Sequence, residues 1–236
     1  CIRDSNKLNQ PLLNGLEKHE GKSDLSVDWQ VTNLSSDEGW DEAMAGCDYV
    51  LHVASPIAMQ LPKDEDEMVK PAVEGTLRVL KAASKAGVKR VVVTSSVAAI
   101  MYGTDKEGIF NEEDWTDPKS KTTNVYAKSK TLAEKAAWEF IEKDNSGMEL
   151  STVLPAMVFG PILEEDFGVS VGAILDMMNG KYPIVPNWDM GVVDVRDVAS
   201  LELLAMTKPE AAGKRFVCSA ENLSLIHISE PTRLDD

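Results

Sequence analysis

Tyr126 and Lys130 stand four residues apart in the run Asn-Val-Tyr-Ala-Lys-Ser-Lys, and the step Thr94-Ser95-Ser96 lies upstream at the end of an apolar run. A phenol, an ammonium and a hydroxyl are the parts needed to protonate a carbonyl oxygen while hydride arrives at its carbon. Positions i and i+4 of a helix share a face, so Tyr126 and Lys130 are expected to point the same way. An unperturbed tyrosine has a pKa of about 10, too high for efficient proton exchange near neutrality. A lysine ammonium about 4 Å away, at an effective dielectric near 20, is worth about 4 kcal/mol. That corresponds to at most about three pKa units, so Lys130 is expected to acidify Tyr126. Ser96 is placed to hold the carbonyl oxygen from the other side. Nicotinamide-dependent carbonyl reduction is the chemistry these three residues suggest.

The Tyr-x-x-x-Lys spacing alone is a weak signal, and its value depends on the elements around it. Strand and helix patterns alternate along the chain. Residues 27–31 predict a short strand. Ser35 with Glu38 three positions on reads as a capping box before an apolar face of Trp40, Ala43 and Met44. Residues 48–54 form a near-continuous apolar strand. The carboxylates of 64–67 suit a helix start. Val69, Val73, Leu77, Leu80 and Ala83 mark that helix's inner face, Pro71 is expected to kink or restart it, and Gly87 to end it. Residues 88–95, with three valines in succession, suit a parallel sheet covered on both faces. A helix over about 126–144, a strand over 149–154 halted by Pro155, and a helix over 170–179 closed by Gly180 follow. Late strands at 192–195 and 216–219 flank a helix starting near Asp197. Repeated β-then-α units predict an α/β, Rossmann-like, doubly wound parallel sheet with a small C-terminal substrate-binding portion. The acidic stretch 103–124 is a long loop of the kind that often carries function.

Composition sets bounds. A chain of 236 residues with 43% hydrophobic and 27% charged content fits one α/β domain with a small appendage. A net charge of −15 repels phosphate backbones, so neither nucleic acid nor an anionic membrane is an expected partner. Cys47 and Cys218 are too few and too distant for a disulfide framework, which favours a reducing, cytoplasmic setting. No metal-ligand spacing is visible. His52, on a buried strand, reads as a packed core histidine rather than a base, and Cys47 as a small buried residue near a helix end.

Taken together the motifs resemble the extended short-chain dehydrogenase/reductases, and within them the dihydroflavonol reductase and cinnamoyl-coenzyme A reductase group. The matching stretches are His52-Val-Ala-Ser-Pro56, Pro71-Ala-Val-Glu-Gly-Thr76, Val91-Val-Val-Thr-Ser-Ser96, Tyr126-Ala-Lys-Ser-Lys-Thr-Leu-Ala-Glu134 with Trp138, Pro155-Ala-Met-Val-Phe-Gly-Pro161 and Val193-Asp-Val-Arg-Asp-Val-Ala199. The resemblance implies that Ser96 polarises the carbonyl, Tyr126 donates the proton, and Lys130 binds the nicotinamide ribose and tunes Tyr126. It implies cofactor contacts at Asn33 and Leu34 beside the adenine, at Val53, Ala54 and Ser55, at Thr94 and Ser95, along Pro155, Ala156, Met157 and Val158, and at Ser170. Asn33 stands where the family carries Asp. NADP(H) is expected ahead of NAD(H), with a small aldehyde or ketone as substrate and a monomer or homodimer as the working form. Met101 replaces an Asn that flavonoid-reducing members use, and a thioether cannot donate a hydrogen bond, so a dihydroflavonol is disfavoured. Trp188 and Met190 are candidates either to touch an apolar ligand or to pack in the core.

The family opens with a strand, a Gly-x-x-Gly-x-x-Gly turn and a helix, and none of the 15 glycines here forms that spacing. Residues 223–233 resemble the translation of a transposase sequencing adapter, and residues 1–5 match its opposite strand. The expectation is therefore a truncated protein. Residues 6–155 would be a partial dinucleotide-binding domain, 156–222 a partial substrate-binding portion, and 1–5 and 223–236 non-native ends. Weak nucleotide binding and impaired independent folding are expected of such a piece. Two other functions compete. One is a sugar-nucleotide epimerase or dehydratase, which needs late basic residues, for which Arg196 and Arg215 are the candidates. The other is a non-catalytic cofactor sensor, which generally lacks the Tyr or the Lys.

Overall fold

The structure is a computed structural model that describes residues 28–57, 62, 64–162, 168–181, 189–220 and 222–224. The sequence's valine-rich run forms strand β2, Arg90–Thr94, whose side chains alternate between two covered faces. It lies between β1, Tyr49–His52, and β3, Glu149–Pro155, and the fourth strand β6, Arg215–Cys218, follows β3. All three pairings in this β1-β2-β3-β6 sheet are parallel. The register aligns Val91 with Val50 and Leu150, and Val93 with His52 and Thr152.

Helices cover both faces, as parallel sheets require. Helices α1 (Trp40–Met44), α2 (Asp66–Ala86) and α3 (Val125–Lys143) bury Trp40, Met44, Val79, Leu80, Ala83 and Ala137 against Val91, Val93 and Leu150. On the other face helix α5, Val195–Thr207, packs Val198 and Ala205 with Val92 and Val153. A one-residue step along β2 therefore changes which helix layer a side chain meets. Thr94 faces α5 and Ser95 faces α3, which decides their partners. Helix α4, Gly168–Met178, precedes a second sheet, in which β4 (Met157–Phe159) pairs parallel with β5 (Asp189–Asp194). Strand β7, Asn222–Ser224, pairs antiparallel with β5. Leu223 and Ser224, read from the sequence as part of a non-native tail, thus belong to a strand; residues 1–5 and 225–236 lie outside the described residues.

Several local expectations need correction. Residues 28–31 carry no strand, and Val27 lies outside the described residues. The capping box at Ser35 does not form. Helix α1 starts later, after Gly39 at φ 80°, because the Trp40 indole ties the turn by donating to the carbonyls of Ser36 and Asn33 at 2.9 and 3.2 Å. Pro71 does not restart α2, which is continuous from Asp66 to Ala86. Proline so near the helix start removes a single ladder bond, to Glu67. The buried residues of α2 are Met68, Ala72, Gly75, Thr76, Val79, Leu80, Ala82 and Ala83, so Leu80 and Ala83 of the predicted stripe face inward while Val69, Val73 and Leu77 lie one residue round from it. Helix α5 begins at Val195 rather than near Asp197, because the Asp194 carboxylate accepts from the Arg196 N–H at 2.8 Å.

Candidate active site

Two side-chain caps set the site. Asn124 Oδ1 accepts from the Ala127 N–H at 2.8 Å, which starts α3 there and puts Tyr126 in its first turn. Lys130 then falls one turn on, on the same face. Across from it, Ser96 ends the β2 run and caps a short 3-10 helix, Val97–Ala99, by accepting from the Ala98 N–H at 3.1 Å. This turn directs the chain out of the sheet at the carboxyl end of β2, where ligands of open α/β sheets bind.

Ser96, Tyr126 and Lys130 converge. The Ser96 hydroxyl is within interaction range of the Tyr126 phenol and favours its ionised form. The Lys130 ammonium lies 6.0 Å from the centre of the Tyr126 ring. Its hydrogen bond goes to the Thr94 carbonyl at 3.4 Å. An ammonium has three donors, so the remaining capacity is available to a ligand.

The electrostatics differ from the expected acidified phenol. Burial pushes the Tyr126 pKa above its ordinary value, the Ser96 hydroxyl opposes that, and Tyr102 adds to the rise. Burial also takes Lys130 from 10.5 down to about 8, against an opposing contribution from Glu134. Desolvation penalises both charged forms, and at this separation it outweighs the attraction counted on in the sequence.

A small crevice opens at the ends of β1 and β2. Ala54, Ser55, Thr94, Ser95 and Lys130 all line it, which brings together five of the predicted contacts. His52, Thr76 and Glu134 line it too. His52 is 7% exposed, its Nε2 is 3.5 Å from the Thr76 hydroxyl, and burial lowers its pKa to about 4. It is neutral at pH 7, as a packed core histidine should be. A buried ammonium with spare donors beside a polar crevice is a fitting seat for ribose hydroxyls.

Other predicted residues sit elsewhere. Asn33 is exposed in the turn before α1, where its Oδ1 accepts from the Ser35 N–H at 2.8 Å. Leu34 is buried at 6% exposure and packs beside Gly75. Val53 is 55% exposed just past β1. Pro155 is the last residue of β3, and the Ala156 N–H is engaged by the Cys218 carbonyl at 2.9 Å. Met157 and Val158 run on into β4, and Ser170 lies in the first turn of α4. Met101 is 44% exposed just beyond the 3-10 turn. Trp188 and the side chain of Met190 lie outside the described residues. Cys47 is half-buried.

Sequence reading missed the most connected side chain near the site. Glu134 is fully buried and ion-paired with Arg215 at 2.7 Å. Thr94 lines the crevice while its hydroxyl donates to Glu202 Oε1 at 2.5 Å on the α5 side. The loop 103–124 is pinned rather than free. Arg215 donates to the carbonyls of Glu112 and Asp114 at 2.6 and 2.8 Å, and Glu112 Oε1 accepts from the Val217 N–H at 2.9 Å.

A parallel sheet with helices on both faces, and with Ser, Tyr and Lys converging at its carboxyl edge, defines a Rossmann-type protein of the short-chain dehydrogenase/reductase kind. More specifically, the chain belongs to the NAD dependent epimerase/dehydratase family, whose model matches residues 9–219. It is 37% identical over 208 residues to cinnamoyl-CoA reductase CAD2 of Medicago truncatula, covering 86% of this chain and 62% of that protein. It is 34% identical over 214 residues to an anthocyanidin reductase of Vitis vinifera, covering 84% of this chain and 62% of that protein. The chain thus spans about 62% of the length of these relatives. Among solved structures it resembles yeast methylglyoxal/isovaleraldehyde reductase Gre2 complexed with NADPH. That match has a TM-score of 0.78 and 31% identity, over 94% of this chain and 70% of the other. Vestitone reductase from alfalfa matches with a TM-score of 0.75 and 28% identity, over 97% and 69%.

Proposed function

We propose that this chain carries the catalytic residues of an NAD(P)H-dependent reductase of a small aldehyde or ketone, with NADP(H) used ahead of NAD(H). The observation that carries the reading is the convergence of Ser96, Tyr126 and Lys130 at the carboxyl end of β2. The nicotinamide, when bound, supplies the hydride. Lys130 holds its ribose through donors not used by Thr94, and Ala54 and Ser55 form the neighbouring wall. Ser96 donates a hydrogen bond to the substrate carbonyl oxygen. Tyr126 gives that oxygen its proton as negative charge develops there. The NADPH in the Gre2 structure and the reductase names of the relatives support both cofactor and reaction class. The protein is read as cytoplasmic and as a monomer or homodimer; no helix among the described residues is long and apolar enough to cross a membrane.

The charge arrangement weighs against a sugar-nucleotide substrate. Arg215 is consumed by Glu134 and two carbonyls, and Arg196 is paired with Asp194 at 2.7 Å. Both late arginines are thus engaged, Arg215 in a buried pair and Arg196 in an exposed one. The test is NADPH oxidation with a panel of aldehydes and ketones, by wild type and Tyr126→Phe carried in a chain of the relatives' full length. A fall of at least about 100-fold in kcat is expected of the variant. Turnover undiminished in the Phe variant overturns the reading.

A further inference from the structure

Tyr126, Lys130 and Glu134 follow one another at four-residue intervals on α3 and share one face. The Glu134 side chain has 0% exposure. A carboxylate so enclosed is costly unless it is paired and hydrogen-bonded. Its partners come from three strands or strand ends and from its own helix. Arg215 of β6 donates from Nε at 2.7 Å, Ser95 Oγ at 2.6 Å, Thr152 Oγ1 of β3 at 2.9 Å, and Trp138 Nε1 at 3.4 Å. The Arg215 guanidinium is itself fixed, lying 3.7 Å from the centre of the Trp115 ring. The carboxylate therefore has one orientation, and it lines the same crevice as Lys130.

We propose, on the reductase reading above, that Glu134 is a positioning residue: it fixes the Ser95–Ser96 step beneath the Tyr126 helix and supplies the negative charge that keeps the buried Lys130 ammonium protonated. The charges facing Lys130 can be named element by element. From β1 comes His52, which is neutral at pH 7. From the end of β2 comes the Thr94 carbonyl, beyond which Glu202 of α5 is bound by the Thr94 hydroxyl. From α2 comes the uncharged Thr76, while Glu65 at that helix's start is paired with Lys128. From α3 itself come Tyr126 and Glu134. Glu134 is the one carboxylate lining the crevice among the described residues. Arg215 is its paired cation, and the direction of the Glu134 effect on Lys130 agrees, opposing the burial.

The experiment reads Lys130 directly, by NMR titration of the same full-length carrier with ¹³Cε/¹⁵Nζ-labelled lysine, with Lys130→Met to assign the signal. Glu134→Gln is expected to lower the Lys130 midpoint by about one pH unit, the scale of a neighbouring charge. Glu134→Gln with Arg215→Gln leaves no unpaired buried charge. It is expected to keep the midpoint below wild type, by a smaller margin, and to hold the fold if the single variant does not. Glu134→Asp keeps the charge and should stay near wild type. A midpoint within about 0.3 unit of wild type in both Gln variants overturns the proposal. So does a loss of stability that the double variant restores with Lys130 unmoved, which would mark a purely structural clamp. No turnover enters this measurement, so failure of the reductase reading, seen with Tyr126→Phe, is recognised separately.

Discussion

The Lys130 ammonium is aimed at the Thr94 carbonyl oxygen, 3.4 Å away, across the seam between α3 and the end of β2. This contact ties the candidate catalytic helix to the strand that carries Ser96. It is a weak tether for a buried cation, and burial takes its pKa from 10.5 to about 8.

A stability consequence follows with a definite sign. Below about pH 8 both folded and unfolded chains hold the Lys130 proton, and the folded state bears the full cost of burying it. Between about pH 8 and 10.5 the unfolded chain binds more protons, so stability rises with pH through that window. The difference amounts to about 3 kcal/mol. Lys130→Met is expected to be more stable than wild type at pH 7 and to lose most of that advantage by pH 10. Urea melts of both proteins at the two pH values check this.

His52 gives the opposite limb. Its folded pKa is lowered from 6.5 to about 4, first by burial and then by Lys130. The stability linked to its neutral form is therefore complete above pH 6.5 and lost as pH falls towards 4. The loss is about 3 kcal/mol. His52→Gln is expected to show a shallower fall in urea midpoint between pH 7 and pH 4.5 than wild type. Equal slopes would mean that other groups govern the acid limb.

What the sequence made legible follows from how local each signal was. The valines at 91–93 marked the covered strand, and Asn124, Tyr126 and Lys130 marked a helix start with one reactive face. The end of β2 was equally plain, so local sequence sufficed to mark all three residues of the trio. Glu134 was hidden because its importance arises from partners 39 and 81 residues away, Ser95 and Arg215. No periodicity announces such a pairing, although its place one turn beyond Lys130 was a usable hint. Phenol acidification was misjudged because sequence gives the identity of a neighbour but not the extent of desolvation. Asn33 is exposed in a turn while its neighbour Leu34 is core, a split that tertiary packing alone decides.

Arg90 is a second buried cation that sequence reading passed over. It is 4% exposed on β2, pairs with Glu149 at 2.6 Å, and donates to the carbonyls of Ala205 and Lys208 at 2.8 and 2.6 Å. Those carbonyls belong to the last turn of α5 and its cap, and the Lys208 carbonyl also accepts from the Ala211 N–H at 3.1 Å in the short turn that follows. Arg90→Ala is expected to lower stability by about 2 kcal/mol, chiefly because it strips donors from the end of α5, the Glu149 carboxylate being 47% exposed and open to rehydration. Arg90→Lys should recover less than half, since a single ammonium cannot reproduce the fork. Chemical-denaturation midpoints of the two variants distinguish these outcomes.

Gly103 opens the long loop that leads back to Tyr126, and it sits at φ 68°. A Cβ there would lie 2.5 Å from Thr123 Oγ1, 2.7 Å from Ser120 Cβ and 2.8 Å from the Asp117 carbonyl oxygen. Two of these three contacts cannot yield by rotating a side-chain tip, and an alanine would also be held in a left-handed conformation. The cost is about 1–3 kcal/mol. It falls on the segment that delivers Asn124, the cap that starts α3, so the damage should be local first. Gly103→Ala is expected to open residues 103–124 to limited proteolysis while the β2–β3 amides keep their protection in hydrogen exchange. Slow proteolysis indistinguishable from wild type would show that the loop's position does not depend on this glycine.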